Sequence, residues 1–278
     1  LLSPMQQAPA ALSVALDPTR LFTAAGLEPD PWQEKLLLEP WDRALLNVTR
    51  QGGKSLTVAA LALHTALYRS DALVLILAPA RRQSKELLQK AWGLYRDAGR
   101  PMAVDNRSEL RVRFDNGSRM IALPGTEKTV RGFSAVDLII ADEAARVPDD
   151  LYTTVRPMLA VSGVRIVGMS TPWGKRGWFY EAWTSDQDWH RVEVTAHDCP
   201  RLTEDFLRQE KEEIGRYMFR QEYLCEFVDP MNQMFRTSEI DAAFDADVEP
   251  LFGAESSEEA PEDATPDPVD PDIDPLDP

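Results

Sequence analysis

Apolar runs of strand length alternate with helical periods from Trp41 to about Asp198. Ala44–Val48 reads as a strand, and Lys54–Tyr68 follows with the spacing of a helix. Leu73–Ala78 is a nearly unbroken apolar run, the pattern of a strand buried on both faces, and Arg82–Ala98 is helical again. Glu109–Phe114 and Arg119–Leu123 flank Asp115-Asn116-Gly117, a hairpin signal. Asp137–Ala141 and Val164–Met169 are two more buried strands, with Leu151–Ala160 as the helix between them. Strands that alternate with helices in this way predict an α/β fold, a mainly parallel central sheet flanked by helices. Outside this block, residues 1–30 are Pro- and Ala-rich and read as a loose arm leading into a short helix. Residues 203–225 read as helical, anchored by Phe206, Ile214, Phe219 and Leu224.

Charge divides the chain further. The formal net charge is −16, but Ser238–Pro278 holds 15 acidic residues and no Lys or Arg. Removing those 15 from the total of 46 leaves 31 acidic against 30 basic residues. The body is therefore neutral, and the whole-chain charge does not argue against a partner as acidic as DNA. The tail, which ends in repeated Asp-Pro pairs, has too few large apolar residues to offset the entropy of ordering and is expected to be disordered. These shifts suggest an N-terminal arm over 1–30, a core over 31–200, a helical end over 201–236 and an acidic Pro-rich tail over 237–278. No apolar run reaches the length of a membrane span, no secretion signal opens the chain, and Cys199 and Cys225 lack metal-ligand spacing. Both are expected to be reduced thiols.

Chemistry concentrates at the ends of the predicted strands. Val48-Thr49-Arg50-Gln51-Gly52-Gly53-Lys54-Ser55 joins a strand to a helix through a glycine pair, a lysine and a hydroxyl. Backbone N–H groups of Gln51, Gly52 and Gly53 in such a turn wrap phosphate oxygens. Lys54 reaches the β- and γ-phosphates of ATP, and Ser55 supplies an oxygen to Mg²⁺. The general phosphate-loop pattern would place its first glycine at Val48, and Arg50 stands where a neutral residue is usual. Leu138-Ile139-Ile140-Ala141-Asp142-Glu143 is an apolar strand ending in two carboxylates. Asp142 there is a candidate to hold Mg²⁺, and Glu143 to polarise an attacking water, which marks a hydrolase. Ser170 and Thr171, at the end of the next strand, are placed to sense the γ-phosphate, although Ser-Thr-Pro is also ordinary turn chemistry. Arg131, beside Gly132 on a loop, is a candidate finger for a neighbouring subunit's γ-phosphate or else a DNA-phosphate contact. Gln33, after Trp32, has the amide needed to read adenine; the alternative is a buried Trp32 beside a surface Gln33.

The loop Thr49–Ser55 resembles the variant phosphate loop of the large terminase subunit of tailed bacteriophages, the motor that packages DNA into capsids. Further features follow in that family's order: Trp32-Gln33, Ala78-Pro79, Val130-Arg131-Gly132 before the Asp-Glu strand, Ser170-Thr171-Pro172 with Gly174, Phe179-Tyr180, and the closing segment Phe219–Phe227. The resemblance spans roughly residues 30–236. It implies a RecA-like (ASCE) ATPase core using ATP and Mg²⁺, with Arg50 as a γ-phosphate sensor and Ser170-Thr171 as a coupling motif. It also implies Arg131 acting in trans within a homo-oligomeric ring at the procapsid portal. The implied partners are double-stranded DNA, the portal protein and the small terminase subunit, with no membrane, in the cytoplasm of the infected host.

Full-length members continue into a nuclease, which needs several carboxylates fixed on a sheet. Residues 237–278 contain no apolar strand to mount such a site, so DNA cutting is not expected of this polypeptide. A superfamily 2-type helicase shares the Asp-Glu strand but needs a second lobe for which there is no room. A non-catalytic assembly protein with a degenerate phosphate-loop fold is the other alternative, and intact Lys54, Ser55, Asp142 and Glu143 argue against it.

Overall fold

The computed structural model describes residues 12–124, 130, 132–160 and 163–229. All of them lie in the first of the chain's two units, Leu1–Asn232. Arg131, the start of the N-terminal arm and the acidic tail fall outside the described residues. Eight strands form one sheet: β1 (Arg43–Val48), β2 (Leu73–Ala78), β3 (Val104–Arg107), β4 (Arg111–Phe114), β5 (Arg119–Pro124), β6 (Leu138–Asp142), β7 (Arg165–Ser170) and β8 (His190–Val194). Their order is β3-β4-β5-β2-β6-β7-β1-β8. From β5 to β8 every neighbouring pair is parallel, and β3 and β4 add an antiparallel edge. The hairpin signal is realised between β4 and β5. There Asn116 Nδ2 donates to the carbonyls of Ala66 and Leu67, and Gly117 takes φ +83°.

Side chains alternate across this sheet, and each face meets its own helix layer. Val74 and Ile76 of β2, Leu138 and Ile140 of β6, and Val167 and Met169 of β7 belong to one buried cluster. That cluster includes the inner faces of α1 (Arg20–Ala24), α2 (Pro31–Leu38), α3 (Lys54–Tyr68) and α4 (Arg81–Asp97). Leu73, Leu75, Leu77, Ile139 and Ile166 face the other way. They pack with α5 (Asp149–Val155), α6 (Gly177–Thr184) and Trp189. Gly168 is required between the layers, because a Cβ there would sit 2.8 Å from the ring of Trp178.

Three expectations need revision. The stretch read as a loose arm is tied down in part, since Leu21 and Phe22 are fully buried in the first cluster. The helix expected over 151–160 ends at Val155, and a 3₁₀ turn, Arg156–Ala160, completes the segment. The closing helix, α7 (Glu204–Glu222), is not continuous: Gly215 has φ 79° and ψ 160°, so two helical pieces meet at a kink. Ile214, beside that kink, is exposed and anchors nothing, whereas Leu207 and Phe219 are buried against Ala196 and Tyr223.

Candidate functional site

One strand, β7, lies between β1 and β6, so the carboxyl ends of the three strands stand side by side at one edge of the sheet. The phosphate loop leaves β1 at Val48 and enters α3 at Lys54. Its turn uses left-handed backbone at Gln51 (φ 58°) and Gly53 (φ 97°). There is no room for side chains on the glycines. A Cβ at Gly52 would lie 2.7 Å from Val48 Cγ1, and one at Gly53 2.7 Å from the Gln33 amide. Lys54 is buried, and its Nζ donates to the Val48 carbonyl at 3.3 Å. Burial pulls the Lys54 pKa down, against the pull of Glu143 and Asp142 nearby.

Asp142 closes β6 and is 8 % exposed. Burial, reinforced by the neighbouring Glu143 charge, pushes its carboxyl up to about 6. Its Oδ1 accepts the N–H of Glu143 at 3.0 Å. Glu143 itself takes left-handed backbone (φ 50°, ψ 44°), a costly conformation for a residue other than glycine and one often kept at functional sites. Ser170 and Thr171 close β7, both buried, and the Ser170 hydroxyl has no hydrogen-bond partner among the described residues.

These observations fit a nucleotide and its metal. A buried lysine, a buried carboxylate whose pKa is raised and an unpaired buried hydroxyl are each costly without an anion or a cation to satisfy them, and the glycine turn leaves its backbone open to close approach. Lys54 and the loop backbone would suit phosphates, and the oxygens of Ser55 and Asp142 are of the kind that would suit Mg²⁺.

The remaining candidates are placed as follows. Gln33 is buried beside the loop with both ends of its amide in use. Its Oε1 accepts the Asp30 N–H at 2.7 Å and its Nε2 donates to Thr57 Oγ1 at 2.8 Å. Each end of the amide keeps one further site, a second N–H and a second lone pair. Arg50 is largely exposed on the loop, with Nε 3.9 Å from the Glu222 carboxylate. Arg131 lies outside the described residues, between buried Val130 and exposed Gly132.

Three residues that the sequence reading passed over also meet here. Arg146 Nη1 donates to Glu143 Oε2 at 2.6 Å, its Nη2 donates to Glu222 Oε1 at 3.1 Å, and its guanidinium lies 4.4 Å over the ring of Trp173. Glu222 Oε2 accepts the Thr171 hydroxyl at 3.0 Å. Arg201 pairs through both Nη atoms with Asp30 and also reaches the Gly52 carbonyl at 3.3 Å. Arg146, three residues after Glu143, sits at a helical spacing that could have flagged it. Glu222 and Arg201 lie more than 140 residues from their loop partners in sequence and carry no local signal.

A parallel sheet with a glycine-lysine loop after one strand, an Asp-Glu pair after another and a third strand between them defines a RecA-like phosphate-loop NTPase fold. Within that class, the family described as "Terminase large subunit, T4likevirus-type, N-terminal" matches residues 45–242, and the chain belongs to it. It is 26 % identical over 198 residues to the large terminase subunit of Escherichia phage T5, covering 68 % of this chain and 45 % of that protein. In structure it is similar to the large terminase ATPase domain of Thermus phage P74-26, with a TM-score of 0.66 and 22 % identity, covering 75 % of this chain and 98 % of that one. It also resembles the large terminase of another thermophilic bacteriophage, solved in complex with ATP-gamma-S. There the TM-score is 0.56 and the identity 13 %, over 67 % of this chain and 48 % of the other. The chain thus spans about half the length of the T5 relative and of the terminase solved with ATP-gamma-S.

Proposed function

We propose that this chain is the ATP-hydrolysing part of a motor that moves double-stranded DNA into a viral procapsid. The observation that carries this reading is the convergence of the Lys54 loop, Asp142-Glu143 and Ser170-Thr171 on one sheet edge. The backbone of Gln51–Gly53 and the Lys54 ammonium bind the phosphates, and Arg50 and the two hydroxyls respond to the γ-phosphate. Ser55 and Asp142 would hold Mg²⁺, which would supply positive charge to neutralise the phosphates. Glu143 orients the attacking water and accepts its proton. Gln33 reads adenine through the N–H and lone pair that its bonds to Thr57 and Asp30 leave over. In this reading residues 31–200 are the catalytic core and 201–236 its helical end, leading into the acidic segment 237–278.

Family membership and the ATP-gamma-S complex of the thermophilic-phage terminase support ATP as the substrate. The motor reading extends this to double-stranded DNA, to the portal protein and small terminase subunit as partners, and to a homo-oligomeric ring in the host cytoplasm. No helix among the described residues is long and apolar enough to cross a membrane. ATP turnover by the purified protein, with and without linear double-stranded DNA, tests the proposal. Turnover should rise with DNA, and Lys54→Ala should lower it by on the order of 10²-fold or more while leaving the circular dichroism spectrum unchanged. Absence of turnover at every DNA and protein concentration would sink it.

A further inference from the structure

Glu222 is the most heavily engaged carboxylate near the site. Its side chain is 7 % exposed, and both oxygens are used: Oε1 accepts from Arg146 and Oε2 from the Thr171 hydroxyl. Its backbone carbonyl accepts the Arg50 N–H at 3.1 Å and the Thr49 hydroxyl at 3.3 Å. The last residue of α7 is thus fastened to the phosphate loop and to the end of β7 at once. Through Arg146 it is also fastened to Glu143.

Arg146 suits that position by its shape. A planar guanidinium can send separate N–H groups to two carboxylates while its face rests on an indole, which an ammonium cannot reproduce. Here Nη1 takes Glu143, Nη2 takes Glu222 and the plane lies over Trp173. Glu143 Oε2 is therefore held, and Oε1, which accepts no bond among the described residues, remains to accept from water.

We infer that Arg146 and Glu222 are positioning residues for the hydrolytic step: Glu222 holds Arg146, Arg146 orients the Glu143 carboxylate, and the Thr171 bond ties that orientation to the end of β7. The inference rests on Glu143 being the residue that activates water. A shift of Thr171 or of the α7 end then turns the Glu143 carboxylate, which gives the segment beyond Glu222 a mechanical connection to catalysis. A misplacement of about 1 Å in such a group costs on the order of 10²-fold in rate.

The alternative is that the ion pairs merely fasten α7 to the sheet. Turnover by Arg146→Lys, Arg146→Ala, Glu222→Gln and the Arg146→Ala/Glu222→Gln pair separates the two, alongside equilibrium binding of ATP-gamma-S and thermal unfolding. In Arg146→Lys, kcat should fall on the order of 10²-fold while ATP-gamma-S affinity stays within about threefold of wild type. The double variant should be no slower than Arg146→Ala, because both changes cut the same chain of contacts. Wild-type kcat in Arg146→Lys would overturn the inference, as would losses that multiply in the double variant, or affinity and kcat falling together. Should Arg146→Ala fail to fold, the lysine and glutamine variants and their combination provide the same comparison. Glu143→Gln separates this inference from the one beneath it. If that variant keeps wild-type turnover, the assignment of Glu143 has failed; if it is inactive while Arg146→Lys is normal, only the positioning role has.

Discussion

At the scale of single residues, the site holds charges in an environment that resists them. The Asp142 carboxyl has an ordinary value of 3.8, but in the fold it is pushed up to about 6, first by burial and then by Glu143. A raised acid pKa means the folded state keeps its proton where the unfolded chain has lost it. Stability therefore falls as pH rises from about 4 to about 6, and the deficit is constant above that. Asp142→Asn keeps an oxygen to accept the Glu143 N–H and removes the charge. It should stabilise the protein by roughly 1–3 kcal/mol at pH 8, with about half of that gain at pH 5, in chemical denaturation without nucleotide. Adding Mg²⁺ on top of ATP should stabilise the wild type further and add less to the variant. A variant less stable than wild type at pH 8 would contradict the environment described for Asp142. The sequence revealed Asp142, Lys54 and Ser170 because each ends or follows an apolar run. Arg146, three residues after Glu143, could have been flagged by its spacing, but Glu222 could not, since its pairing with Arg146 and Thr171 is created by the tertiary fold.

At the scale of elements, the strands buried on both faces were readable because their residues are apolar whichever way they point. That is true of β2, whose six residues are all buried. Edge strands were harder. β8 carries His190, Arg191 and Glu193 with only Val194 fully buried, so its alternation is faint and it escaped the pattern. β3, with Asp105, Asn106 and Arg107 exposed, escaped for the same reason. The β4–β5 hairpin was legible from its turn, but its chemistry was not. Arg113 lies directly across from Arg119, and Arg111 shares their face, opposite buried Val112 and Met120. Like charges facing each other across a strand pair are unfavourable, and Asp105, 3.3 Å from Arg113, compensates only one of them. Guanidinium groups arranged in this way suit the phosphates of DNA. Replacing Arg113 and Arg119 with alanine should reduce the salt dependence of DNA-stimulated ATP turnover by about two counterions. Basal turnover should persist, since neither residue touches the nucleotide site. An unchanged salt slope would remove this hairpin from the DNA path.

At the scale of the whole molecule, the question is whether one copy of the chain makes a complete site. In the function proposed above, the described residues of one copy include the phosphate loop, the carboxylate assigned to the metal and the one assigned to activate water. Arg50 lies 3.9 Å from the Glu222 carboxylate, Arg146 donates to it, and Arg201 reaches the phosphate loop at the Gly52 carbonyl. Arg131 follows Val130 in sequence, and Val130 is buried in the second core cluster. In a ring built by head-to-tail contacts, each subunit presents the same surface to its neighbour all round. If Arg131 acts across that contact, each working site combines Glu143 of one subunit with Arg131 of the next. Arg131→Ala and Glu143→Ala should each be inactive alone. Mixed in equal amounts where the wild type assembles, they should regain about one quarter of wild-type turnover, because random placement puts an intact Glu143 beside an intact Arg131 at that frequency. An arginine acting within its own subunit predicts no recovery, since every site would then lack one residue or the other. Sedimentation of the mixture, showing rings of wild-type size, makes an absence of recovery decisive against action in trans.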